Sequence, residues 1–252
     1  MKIFSLDIFG ITFAPTWYGL MYALGFLFWY LIIKRRKIFT EKELDSLLLF
    51  MFIAVVGGWR LGYVLFYNLS YFVDHPLDAL KIWEWGMSFH GATIAVILAL
   101  ILWSYMYKKS LLQVSDEVIA IIPIGLMLGR IGNYINSELY GYANYTGPFA
   151  MMHDGIPHFP SPLLEALLEW VFLLIFLQYL QKKNPTYGTL SAVFLIGYGI
   201  IRFCIEFFRL PDTQIGYLFG SSWFTMGQLL SLPMIALGII LLIMIWKKAG
   251  KS

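Results

Sequence analysis

Stretch after stretch of this 252-residue chain runs for about twenty residues on apolar side chains. No other feature narrows the possible folds as much. A helix of that length covers the hydrocarbon core of a bilayer. Charged residues make up 13% of the chain and hydrophobic ones 60%, with a mean hydropathy of +0.72, whereas an ordinary soluble domain carries about 25% charged residues. Water is therefore not the main solvent. The apolar runs predict seven helices, over 16–33, 46–67, 88–107, 116–136, 162–181, 188–208 and 223–246. They are continuous and lack the apolar/polar alternation of membrane β-strands, which argues against a barrel. The expectation is an all-α integral membrane protein of about seven transmembrane helices, forming a single polytopic domain over 1–252. The hydrophilic stretch 137–161, rich in Gly, Pro, Tyr and His, is expected to be an external loop or small arm between spans four and five.

Basic residues flanking spans are retained on the cytoplasmic side. Lys34, Arg35, Arg36, Lys37 and Lys42 follow the first span, Lys108 and Lys109 the third, Lys182 and Lys183 the fifth, and Lys247, Lys248 and Lys251 the seventh. All fall on one side, and only Lys2 and Lys81 occupy the opposite loops. The N-terminus is thus expected outside and the C-terminus in the cytoplasm. A formal net charge of +3 is this topology signal and needs no nucleic acid to explain it. Residues 1–10 show neither a charged leader nor a small-residue cleavage site, so the first span is expected to remain as an anchor. The lone cysteine, Cys204, excludes an intrachain disulfide and a multi-cysteine metal site. His75, His153 and His158 fall in external loops without zinc-like spacing and are expected to be solvated, so no metal and no cofactor is assigned.

The informative residues are ionisable ones inside the spans. A charge at a helix centre costs about 2.5 to 3.5 kcal/mol on insertion scales, so Arg60, Arg130 and Arg202 need partners, water or a ligand. The topology puts all three toward the outer ends of their spans, with His90 opening the third span and Tyr18 the first. One site toward the outer leaflet is the economical expectation. Arg202, Glu206 and Arg209 share one helical stripe by offsets of four and seven. Such a stripe suits an anionic headgroup gripped by guanidinium forks, or else an internal ion pair that ties helices together. Cys204 lies about 200° around the helix from Arg202 and reads as a packing residue. Span four carries Gly125, Gly129 and Gly132 at packing spacing, followed by Arg130, Asn133, Asn136 and Glu138, whose polar groups are costly there without partners. Ser161 is expected to cap the fifth span, with Pro162 at its first position and Glu165 in its early turns. Glu165 could anchor that helix start or act in catalysis; Asp116 and Glu117, which open span four, leave the same choice. Trp17, Trp83, Trp85 and Trp223 read as an interfacial belt.

Together the motifs resemble prolipoprotein diacylglyceryl transferases. The segments that carry the likeness are Trp17-Tyr-Gly-Leu-Met-Tyr22, Arg60-Leu-Gly-Tyr-Val-Leu-Phe-Tyr67, Gly86-Met-Ser-Phe-His-Gly91, Gly129-Arg-Ile-Gly-Asn-Tyr-Ile-Asn136 with Glu138 to Gly141, Arg202 to Asp212, and Met226-Gly-Gln-Leu-Leu-Ser-Leu-Pro233. The fourth-span motif is the family signature. The resemblance implies a seven-span enzyme of the bacterial inner membrane that needs no cofactor and transfers the diacylglyceryl group of phosphatidylglycerol to the lipobox cysteine thiol of a preprolipoprotein signal peptide. It implies that Arg130 and Arg202 bind the phosphate and that His90 accepts the thiol proton, unless the arginine field alone lowers the thiol pKa. Tyr18, Arg60, Asn133, Asn136, Glu138, Gly141 and Glu206 match positions that shape or support the site. The chain departs from the family pattern at Ala92, where Gly is usual, at Tyr142, where Arg is usual, and at Phe159, where His is usual. These departures leave a specialised paralogue open. A carrier or lipid-binding protein holding an anion in the same basic cluster is the rival reading, and the gathering of charge toward one face favours the enzyme.

Overall fold

The computed structural model describes residues 3–8, 11–81, 86, 88–211 and 216–249. Lys2, Trp83, Trp85, Met87, Asp212 and Lys251 lie outside the described residues. The helices are α1 (Trp17–Arg36), α2 (Glu41–Tyr67), α3 (Leu69–Asp74), α4 (Phe89–Met106), α5 (Leu111–Ile119), α6 (Ile122–Ile135), α7 (Ser161–Leu167), α8 (Ile175–Gln181), α9 (Thr189–Ile205) and α10 (Met226–Ala249), with a π-helical stretch, Leu168–Leu174, joining α7 to α8. Two antiparallel hairpins complete the chain: β1 (Leu6–Ile8) with β2 (Ile11–Phe13), and β3 (Met151–His153) with β4 (Ile156–His158). The second hairpin gives the expected loop 137–161 a small ordered core.

Five of the described helices are long and apolar enough to cross a membrane, and a sixth is formed if α5 and α6, bent by 40°, count as one span. The remaining apolar helix, α9, has 17 residues. Helices thus stand at all seven expected places, but two differ in form. Span four is broken: Pro123 sits in the first turn of α6, where its missing N–H and its ring prevent the ladder from continuing out of α5. The sixth segment stops at Ile205 instead of 208, so that Arg209 leaves the helix and bridges Gly141 in a short antiparallel contact. Polarity is distributed inside out. Ile97, Leu98, Leu237 and Ile240 are exposed, whereas Glu165, Gln228, Asp116 and Glu206 are buried, as expected where lipid is the surrounding solvent.

The chain forms two compact units, one of residues 1–29 and 116–252, the other of residues 30–115. In the second unit α2 packs along α4 where Gly62 faces Gly91. A Cβ on Gly62 would stand 2.5 Å from the Gly91 Cα, so the two backbones touch and neither position admits a side chain. The start of α2, five residues before the expected boundary, is fixed by a capping box: Thr40 Oγ1 accepts from Glu43 N at 3.3 Å and Glu43 Oε2 accepts from Thr40 N at 2.8 Å. Arg60 is buried on α2 and donates from Nε to the Ala79 carbonyl at 3.0 Å and from Nη2 to the Asp78 carbonyl at 2.6 Å. It thereby holds the 3₁₀ turn Pro76–Leu80, and its guanidinium lies 5.2 Å from the centre of the Phe72 ring. In the same turn Lys81 and the Tyr71 hydroxyl keep the Asp78 carboxyl below the usual carboxylate range.

In the first unit, α9 lies along α10 and α6 along α7. The glycines of span four pack unevenly: the Gly125 Cα lies 3.6 Å from where a Cβ on Gly25 of α1 would stand. Gly125 and Gly129 have nothing within 4 Å of where a Cβ would stand, and only Gly132 is filled, by the Tyr18 ring at 3.0 Å. Ser161 is not a cap. It is the first helical residue of α7 and its hydroxyl donates to the Leu139 carbonyl at 2.6 Å. Cys204, expected to pack, is exposed on the outside of α9.

Candidate active site

Within the first unit a continuous polar chain joins α1, α6, the loop after it, α7 and α9. It begins at Glu138. The residues on either side, Ser137 and Leu139, have φ of 54° and 57°. Left-handed backbone is costly for a bulky residue such as leucine and persists only where its surroundings enforce it. Here the Ser161 hydroxyl grips the Leu139 carbonyl, and Glu138 N donates to the Asn133 carbonyl at 2.9 Å. The strained turn sends the Glu138 carboxylate back over α6, where it accepts from the Tyr18 hydroxyl. Asn133 Nδ2 donates to that same hydroxyl, and the Asn136 side chain also reaches it.

From Asn133 the chain passes to charge. Arg130 Nη1 donates to Asn133 Oδ1 at 3.3 Å, and Arg130 Nε stands 2.6 Å from Glu165 Oε2. The other oxygen of Glu165 is 3.4 Å from Arg202 Nη1. Arg202 Nη2 meets Glu206 Oε1 at 2.5 Å, and Arg209 Nη1 approaches the same oxygen at 3.5 Å. Glu206 Oε2 accepts from the Thr225 hydroxyl at 2.7 Å, and Thr225 N donates to Gln228 Oε1 at 2.9 Å. Three cations and two carboxylates, Arg130, Arg202, Arg209, Glu165 and Glu206, are thus linked largely away from solvent, whereas Glu138, at the start of the chain, is exposed. Removing Glu165 or Glu206 would leave an uncompensated arginine charge in the protein interior.

Gly141 closes the site from the loop side. Its N donates to the Phe159 carbonyl at 2.8 Å, its carbonyl meets His158 Nδ1 at 2.9 Å, and it forms the bridge to Arg209. A Cβ here would stand 3.0 Å from Phe159 Cβ and against the Phe208 carbonyl, so only glycine fits. His158 is therefore buried against Gly141 and the Tyr140 ring, which corrects its expected place among the solvated histidines. His153 also lies on Tyr140, and no cluster able to hold a metal occurs among the described residues. Two departures from the family pattern meet in this loop: Tyr142 stacks on Phe159 with centroids 5.1 Å apart, and Phe159 N donates to the Tyr142 carbonyl.

Of the residues singled out from sequence, Tyr18, Arg130, Asn133, Asn136, Glu138, Gly141, Arg202 and Glu206 come together in this unit. Arg60 and His90 belong to the second unit. His90 is exposed in the first turn of α4, one residue after Phe89; that turn is capped by Ser88 Oγ, which accepts from Gly91 N at 3.1 Å. Thr225 gives no signal in the sequence, and Gln228 enters only as part of the segment 226–233 that carries the family likeness. The sequence reading of Glu165 stays open between a helix anchor and catalysis, on a carboxylate in the early turns of the fifth span that closes the segment 159–165, which matches the family in part.

The fold and this site define an integral membrane protein with a buried arginine cluster suited to an anionic group. A profile of the prolipoprotein diacylglyceryl transferases matches residues 6–244. Three bacterial relatives, each bearing the name phosphatidylglycerol–prolipoprotein diacylglyceryl transferase, match over nearly their whole length. That of Methylococcus capsulatus is 44% identical over 94% of this chain and 95% of its own. That of Pasteurella multocida is 44% identical over 99% and 93%, and that of Pseudoalteromonas translucida 45% identical over 95% and 91%. The chain belongs to the prolipoprotein diacylglyceryl transferase family.

Proposed function

We propose that this protein transfers the diacylglyceryl group of phosphatidylglycerol to the lipobox cysteine of a preprolipoprotein at the outer leaflet of the bacterial cytoplasmic membrane. Its seven helical segments then cross the bilayer with the N-terminus outside. The observation that carries this reading is the convergence of Arg130 and Arg202, from two different helices, on one buried site in a member of this family. Arg202 Nη1 is buried with no aligned acceptor, which leaves a donor for an anion. Guanidinium groups bind phosphate oxygens through paired charge-assisted hydrogen bonds.

In this reading the cysteine S–H gives its proton to His90, and the thiolate attacks the glyceryl carbon that carries the phosphate. The S–C bond forms as the C–O bond breaks, and glycerol phosphate leaves with the electron pair. Arg130 and Arg202 hold the phosphate before the step and stabilise the charge that grows on it. Tyr18, Asn133, Asn136 and Glu138 fix the orientation of Arg130, Glu206 and Gly141 support the side of Arg202 and Arg209, and Arg60 is a further supporting residue. Purified protein incubated with phosphatidylglycerol and a lipobox peptide should add the mass of one diacylglyceryl group to the cysteine. Arg130→Ala should abolish the adduct while the protein stays inserted, and His90→Gln should cut the rate about 100-fold, within the range for loss of a general base. Folded wild-type protein that forms no adduct would sink the assignment.

A further inference from the structure

Two guanidiniums that meet inside a membrane protein repel one another strongly unless an anion lies between them. Glu206 is not that anion. It sits on the far side of Arg202, bound to the Thr225 hydroxyl and near Arg209. Glu165 is the carboxylate between them. It is fully buried, and each of its oxygens faces a different arginine: Oε2 lies 2.6 Å from Arg130 Nε and Oε1 3.4 Å from Arg202 Nη1.

The manner of contact is informative. Neither oxygen of Glu165 receives an aligned hydrogen bond, and neither does Arg202 Nη1 give one. Fork-to-fork pairing would occupy the donor edges a phosphate needs. Glu165 instead holds both arginines by charge and leaves the Arg202 Nη1 donor without an aligned acceptor. We propose that Glu165 is the positioning residue of the site, a single carboxylate that sets the spacing of Arg130 and Arg202 and serves as their counter-charge until the lipid phosphate arrives. This rests on the phosphate-binding reading above.

A residue that only helped folding would lower the yield of folded protein and leave its turnover alone. A positioning residue acts on kcat. Glu165→Gln keeps the shape and removes the charge, so the arginines lose their common reference while their surroundings gain net positive charge. In monodisperse protein, kcat should fall about 100-fold, the scale of loss for a displacement of about 1 Å. The KM for phosphatidylglycerol should stay the same or drop, because the anion meets more positive charge. Glu165→Asp, which restores the charge on a shorter stem, should recover at least about a tenth of the wild-type rate. Wild-type kcat in Glu165→Gln, or a loss carried by a raised KM, overturns the proposal. So does aggregation of both variants, which would make Glu165 a folding residue. A wild-type protein that forms no adduct fails at the earlier step and takes this proposal with it.

Discussion

A guanidinium inside a helical membrane protein can serve a ligand or the protein's own backbone; Arg60 serves the backbone, whereas the ligand role is the one proposed for Arg202. Both are costly at depth, but Arg60 directs its fork at two successive carbonyls, those of Asp78 and Ala79. Carbonyls deprived of that donor would cost about 1 to 3 kcal/mol. Arg60→Lys should therefore lower the melting temperature in detergent, since an ammonium cannot span both acceptors as a planar fork does; an unchanged melt would show that those carbonyls do not depend on Arg60. The sequence made Arg60, Arg130 and Arg202 visible because charge in an apolar run stands out. It linked Glu206 to Arg202 because four residues make one helical turn. Glu165 lay beyond such reasoning: it sits 35 residues after Arg130 and 37 before Arg202, and only tertiary packing brings the three together. His158 escapes such reasoning in the same way, since its burial depends on Gly141 and Tyr140.

Among the elements, α9 shows how a short helix is secured. Its N-cap, Gly188, has φ 95° and no side chain to satisfy the first N–H groups. Asp116 on α5 supplies the acceptor from elsewhere in the chain. Its Oδ2 accepts from Gly188 N at 2.7 Å, and its Oδ1 accepts from Ser191 N at 2.8 Å and Ser191 Oγ at 2.6 Å. The choice that sequence left open for Asp116 is thus settled as anchoring a helix start, but the helix it anchors is α9 and not its own. Periodicity cannot reveal a cap donated across 72 residues. Asp116→Ala would strand three buried donors, and loss of such an acceptor costs about 1 to 3 kcal/mol. The expected result is a melting temperature several degrees lower in detergent, with Asp116→Asn in between. Equal melting of all three proteins would show that the α9 terminus is held by other means. The break between α5 and α6 was more legible, since Pro123 stood in the sequence; it was absorbed into one span because apolar content continues across it. Tyr142 and Phe159 each looked like isolated divergence, yet their stacking makes the pair a single change in how the loop is braced.

At the scale of the whole molecule, the number of helices follows from hydropathy, whereas their direction rests on where lysine and arginine accumulate. The two can be tested apart. If the basic clusters mark the cytoplasm, the loop with the β3–β4 hairpin faces outward, on the side where a secreted substrate presents its cysteine. Cys204 offers a convenient starting point, being the lone cysteine and exposed on the outer face of α9. Cys204→Ser should keep activity and give a background free of thiols. In that background, Asp154→Cys at the tip of the hairpin should react with a membrane-impermeant maleimide in intact spheroplasts, and Lys183→Cys after α8 should react only once the membrane is permeabilised; both positions are exposed. The reverse pattern would invert the protein, put the arginine cluster toward the cytoplasm, and remove the secreted cysteine from its reach. Labelling of both in intact cells would instead mean that the helices between them do not separate the two compartments, and the count of spans, not their direction, would have to change.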